Sequence, residues 1–191
     1  VFRLKRPQTR KIVEEIALAE RSRRREARFL SVQGGVKPER LPFFFAHDYA
    51  SRSIGRGAIA FENARRAFEH WTHFDLGWVR VAIPSARIIA GQIVSIEVRT
   101  LGLWTLNHSH ILEVIATPTK FGFVYGTTKI HVENGEERFL LEFDPSTEEV
   151  TYTLEAVSRP RNLLAWLAYP ITRFFQHKFA GDSQRRMQDS V

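Results

Sequence analysis

Between residues 78 and 159 the chain carries six strand-like runs in succession, with no helical spacing among them: 78–83, 92–101, 106–116, 120–127, 136–143 and 150–159. In the second run Val94, Ile96 and Val98 alternate with Ser95, Glu97 and Arg99, the period-two pattern of a strand with one wet face. Turn residues separate the runs at Thr117-Pro118, Glu133-Asn134-Gly135 and Asp144-Pro145-Ser146. Parallel neighbours need long crossover connections, usually helical, and these runs leave no room for them. They must therefore pair antiparallel, which excludes a doubly wound α/β sheet.

Helical patterns flank this block. Ile12, Val13, Ile16, Ala17 and Ala19 form a narrow stripe, which predicts a helix over 10–30 stopped by Gly34-Gly35. The even spacing of Phe43, Phe45 and Tyr49 predicts a strand over 41–54, closed by Gly55-Arg56-Gly57. Phe61, Ala64, Phe68 and Trp71 share one face of a helix over 58–72. A terminal helix over 160–188 presents Leu163, Leu167, Ile171, Phe174, Phe175 and Phe179, with Ser158 placed to cap it and Pro170 to kink it. Antiparallel strands and a long apolar-faced helix make an α+β layer packing, the last helix lying across the sheet. The organisation expected is a basic helical segment over 1–40 and a body over 41–191, in a single domain overall.

The formal net charge of +7 is not spread evenly. Residues 1–40 hold twelve Lys/Arg and five Asp/Glu, whereas residues 41–191 hold sixteen of each. A basic arm on a neutral body bears on partners rather than fold. Fifteen Phe and four Trp, against one Met and no Cys, mean a core of rigid rings without disulfides, which fits a reducing, cytoplasmic setting. The longest apolar stretch, residues 163–171, is about half the roughly 20 residues of a membrane-spanning helix, so no span is expected.

The segment Phe121-Gly122-Phe123-Val124-Tyr125-Gly126-Thr127, then His131, Gly135-Glu136-Glu137-Arg138-Phe139 and Ser158-Arg159-Pro160, resembles the signature of uncharacterised protein family 0548, a domain of unknown function. Further matches run over nearly the whole chain, among them Gly55-Arg56-Gly57, Gly102-Leu103-Trp104 and Tyr169-Pro170. The family pattern carries Leu-Pro-Gly where this sequence has Thr128-Lys129-Ile130. The resemblance implies a START-like (SRPBCC-type) helix-grip fold, a curved antiparallel sheet of about six or seven strands around a long C-terminal helix, often enclosing an apolar cavity. It implies no activity.

Parity on the strands supplies the candidate site. Phe121, Phe123, Tyr125 and Thr127 point one way while Gly122, Val124 and Gly126 point the other, where bare positions admit close approach of backbone or ligand. Glu137 shares parity with Phe139 and Phe143 and so faces the core, where a carboxylate needs a partner. Arg159 is the expected partner, with Tyr125 and His131 nearby. Two readings compete: a structural ion pair, or a polar anchor at a cavity lined by Phe123, Tyr125, Phe139 and Trp166.

Enzyme signatures are missing: there is no phosphate-binding glycine loop and no nucleophile elbow, and adjacent Glu136 and Glu137 face opposite ways. His108 and His110 share a face, but a third zinc ligand is lacking, so neither metal nor cofactor is expected. Three functional classes follow. The first is a module binding a small hydrophobic or amphipathic ligand between sheet and C-terminal helix. The second is an enzyme using Tyr125, His131, Glu137 and Arg159. The third is an interaction module whose Arg21, Arg23, Arg24, Arg25 and Arg28 on the first helix bind an anionic membrane or nucleic acid.

Overall fold

The computed structural model describes residues 3–21, 27–37, 41, 45–128, 133–160 and 169–191. In chain order the elements are α1 (Thr9–Glu20), β1 (Leu30–Ser31), β2 (Gly35–Val36), β3 (Ala46–Arg56), α2 (Ala58–Glu69), a 3-10 turn (Thr72–Phe74), β4 (Val79–Val81), β5 (Ile93–Thr100), β6 (Leu103–Ala116), β7 (Lys120–Thr127), β8 (Glu133–Asp144), β9 (Glu149–Pro160) and α3 (Tyr169–Gln188). Strands β3 to β9 form one antiparallel sheet in the order β3-β9-β8-β7-β6-β5-β4, and all six runs read from alternation are present in it. From β4 to β9 each strand pairs with its sequence neighbour, and β3 closes the far edge against β9.

The sheet is buried on both faces. On its concave side Phe61, Ala64 and Phe68 of α2 pack with Trp71 and Phe74 against Phe121, Phe123, Phe139 and Tyr152. On the convex side Phe29, Leu30 and Val32 cover Leu112, Ile115, Val124, Leu140 and Val157. Gly122 belongs to this convex face, and its bareness serves the neighbouring strand. A Cβ there would overlap the carbonyl oxygen of Phe139 and crowd Leu140. The aromatic side and the bare side of β7 are thus both structural features of the sheet.

Two expectations on the flanking elements are corrected. The first helix ends at Glu20 rather than Leu30. Leu30 instead opens β1, because the backbone there runs extended to meet carboxylates on the sheet. Ser158 and Pro160 belong to β9, Ser158 pairing with both Ala46 and Gly135, so neither opens the terminal helix. That helix is described from Tyr169, and residues 161–168 lie outside the described residues, with the expected bend at Pro170 at their edge.

The closed end of the concave core holds a titratable ring. His73 is fully buried, stacked on Phe68 at 4.0 Å between centroids and walled by Trp71, Phe74 and Phe139. Neither of its ring nitrogens has a hydrogen-bond partner among the described residues. Burial alone pushes its pKa well below the ordinary 6.5, so the native ring is neutral while the unfolded chain protonates near 6.5. Stability from this group is complete above pH 6.5 and falls as the pH drops below it, by up to about 1.4 kcal/mol per unit. His108, also pushed down by burial against the opposing pull of Glu15, adds a contribution of the same sign. His73→Phe should keep the fold and flatten this acid slope in urea unfolding measured between about pH 5 and 7. An unchanged slope would show that His73 is not the buried neutral group.

Candidate functional site

Strand parity brings Tyr125 and Glu137 together. They are cross-strand partners on β7 and β8, both on the concave face, and the Tyr125 hydroxyl donates to Glu137 Oε2 at 2.6 Å. This pair stands at the edge of a cleft of about 550 Å³ between the concave sheet and α3, a volume in the range of small-molecule sites. Thr105 and Asn107 of β6, Leu154 and Ala156 of β9 and Val98 of β5 form its floor. Ile171, Phe175, Phe179 and Ala180 of α3 form its roof, and Phe74 and Trp78 line it further.

A second polar group lines the cleft where β3 meets α3. Arg173 makes a bidentate contact with Asp48, donates to Gln176 Oε1 at 3.1 Å and lies 3.1 Å from His177 Nε2. Asp48 is partly desolvated, which by itself would raise its pKa. The hydrogen bonds and charge of Arg173, helped by His177, more than offset this and hold the carboxyl below its ordinary value. Gln176 reaches on to the Ser158 hydroxyl at 3.5 Å. The edge strand, β9 and the roof helix are therefore tied by one polar network at the cleft.

The other expected site residues separate. Phe123 and Phe139 face the concave side but are fully buried beneath the cleft, stacked on each other at 5.0 Å between centroids. They are core, not lining. Arg159 pairs in register with Asn134, is exposed, and places its guanidinium 5.1 Å from the ring centre of Phe45 on the convex side. It forms no pair with Glu137, because the two point to opposite faces of the sheet. His131 and Trp166 lie outside the described residues. Of the arginine cluster, Arg21 follows α1 as its C-cap and Arg28 stands beyond the helix, while Arg23, Arg24 and Arg25 lie outside the described residues. His108 is turned to the convex side, its Nδ1 2.8 Å from Ser95 Oγ and its Nε2 3.3 Å from Glu15 Oε2.

Residues not anticipated from sequence include Asp48, Asn107, Arg173 and His177. Asp48 offered one signal: it is a charged residue on a strand beside a helix that presents Arg173 and His177 four apart, on one face.

A seven-stranded antiparallel sheet wrapped around a C-terminal helix, with an apolar-walled cleft between them, defines a START-like helix-grip domain. Solved structures with this fold include the di-domain ARO/CYC BexL from the BE-7585A biosynthetic pathway, with a TM-score of 0.54 and 14% identity over 78% of this chain and 50% of that one. They also include TTHA0849 from Thermus thermophilus, with a TM-score of 0.54 and 11% identity over 76% and 96% of the two chains. Ara h 8.0201 follows at 0.50 and 8%, over 76% and 99%. Likeness at this identity establishes the fold alone.

The chain belongs to the family described as Domain of unknown function (DUF1990), which matches residues 31–186. A UPF0548 protein of Dictyostelium discoideum is 36% identical over 158 residues, 77% of this chain and 73% of that protein. A UPF0548 protein of Arabidopsis thaliana is 29% identical over 153 residues, 77% and 74% of the two. Among the described residues, no helix is long and apolar enough to cross a membrane.

Proposed function

We propose that this domain binds a small, largely apolar ligand bearing a polar group, held between the concave sheet and α3. The observation that carries the reading is the cleft of about 550 Å³, whose aliphatic and aromatic walls are interrupted by the Tyr125–Glu137 pair and the Asp48–Arg173 network. Apolar walls with a few placed polar groups are what a site of this size needs to bury a ligand and orient it. The neighbouring Phe123 and Phe139 pack rigidly beneath the floor and set its depth. An enzymatic reading based on Arg159 as an anion holder has no support, since that residue lies on the other side of the sheet.

Ala156 gives the test. It lines the cleft and pairs in register with both Glu137 and Asp48, so a larger side chain there enters the cleft between the two polar groups. An uncharged environment-sensitive dye should bind the wild-type protein saturably at one site. Ala156→Phe should weaken that binding by roughly tenfold or more, with little change in Tm. Equal binding by both proteins would remove the cleft as the site.

A further inference from the structure

Thr105, Asn107 and Ser109 alternate along β6 on its concave side. Thr105 and Asn107 line the cleft, and Ser109 pairs across the sheet with Thr127, which lines it too. Their partners on β5 are Val98, Ile96 and Val94. One side of this hairpin therefore carries an aliphatic row on β5 and a polar row on β6.

The fold leaves the polar row incompletely bonded. Ser109 is fully buried, and its hydroxyl has no hydrogen-bond partner among the described residues. Asn107 is half-buried and makes one long side-chain bond, 3.4 Å from Nδ2 to the Thr105 hydroxyl, which leaves its Oδ1 open among the described residues. Asn is depleted in strands, and a buried hydroxyl without a partner costs stability. Folding gains nothing from either residue. Open hydrogen-bonding groups on the wall of an apolar cleft are what orients a ligand there.

The charges around the cleft give an anion no counterpart. Among the described residues no lysine or arginine lines it. Arg173 is engaged by Asp48 through its bidentate contact. His177, the one described lining residue able to carry a positive charge, is 66% exposed and turned to Asp48 at 3.4 Å. A carboxylate head group entering the cleft would lose its water and find no cation in exchange, whereas an uncharged group needs only hydrogen bonds.

We propose that the polar group of the ligand is an uncharged hydroxyl, held by Asn107 and Ser109. The two residues stand about 7 Å apart along one face of β6, a span that a single hydroxyl bridges, donating to Asn107 Oδ1 and accepting from the Ser109 hydroxyl. The assignment rests on the cleft being the binding site, and it adds the head group and the residues that read it. The cleft accordingly takes long-chain or polycyclic alcohols and rejects fatty acids of the same length.

Displacement of an uncharged dye that lacks a hydroxyl tests this, with decan-1-ol and decanoate as competitors at about pH 8, where decanoate is ionised. The two share a chain length and differ in head group. Decan-1-ol should displace the dye at a concentration roughly tenfold or more below that of decanoate. The double replacement Asn107→Leu with Ser109→Ala removes the open groups, so its Tm should equal or exceed that of the wild type. Its affinity for decan-1-ol should fall by roughly tenfold, and its preference over decanoate should shrink to less than about threefold. Decanoate that competes as well as decan-1-ol overturns the head-group assignment and leaves the cleft as the site. A double variant that keeps the wild-type affinity for decan-1-ol does the same. A dye that does not bind, or that neither compound displaces, removes the cleft reading and this assignment with it.

Discussion

Replacing Glu136 by Ala is expected to lower the unfolding free energy by about 3–5 kcal/mol. Glu136 is 2% exposed on the convex face, where its carboxylate accepts the backbone N–H groups of Arg28, Phe29 and Leu30 at 2.8, 2.8 and 3.0 Å. Phe29 and Leu30 are buried, so truncation leaves their donors without an acceptor in an apolar surround, at about 1–3 kcal/mol each. The segment those bonds hold also covers Val124, Leu140 and Val157, whose burial is then lost in part. Glu136→Gln keeps one acceptor oxygen and should lose less. Denaturant unfolding measures the loss, and amide hydrogen exchange at residues 28–30 should speed up with it. A loss under about 1 kcal/mol would mean that this carboxylate does not hold the segment.

Glu155→Ala should also cost about 3–5 kcal/mol, for a different reason. Glu155 and Arg138 are cross-strand partners with side chains 4% and 8% exposed, joined by bonds of 3.0 and 2.7 Å to one carboxylate oxygen. The other oxygen lies 2.8 Å from His47 Nε2 and accepts the Val36 N–H at 3.2 Å. Removing the carboxylate strands a buried guanidinium, which is worse than having no pair at all. The double replacement Arg138→Leu with Glu155→Leu should therefore recover most of the loss, as read by denaturant midpoints. If the double variant is no more stable than Glu155→Ala, the stranded charge is not the cause. Gly35 belongs to the same contact: its φ is +70°, and a Cβ there would overlap the Glu155 carboxylate.

These two glutamates also show where sequence reading stops. Alternation identifies the strands from residue 78 onward, and parity alone places Tyr125 beside Glu137 on the concave face. The same parity places Arg159 with Glu155 and Val157 on the convex face, so pairing it with Glu137 runs against the period-two rule. Phe123 and Phe139 are read on the correct face but at the wrong depth, since periodicity says which side a residue faces and not how far it lies from an opening.

The convex cover is hidden because Glu113, Glu136 and Glu155 sit at positions that alternation assigns to solvent. The signal available is the apolar company on that face, Leu112, Val124, Leu140 and Val157, which a wet surface would not require. Residues 21–30 read as helix on propensity and spacing. Backbone donors at 28–30 are instead drawn onto the Glu136 carboxylate, a tertiary contact that local propensity does not contain. Asp48 and Arg173 are 125 residues apart in the chain, and only the placement of edge strand β3 against α3 brings them together.

The most direct test of the cleft as a binding site is native mass spectrometry of the purified wild-type chain beside Ala156→Phe, followed by denaturing extraction. A small amphipathic compound released from the wild type and missing from the variant is the expected result. A compound carried equally by both, or a wild-type protein that takes up no apolar compound when one is supplied in excess, would contradict it.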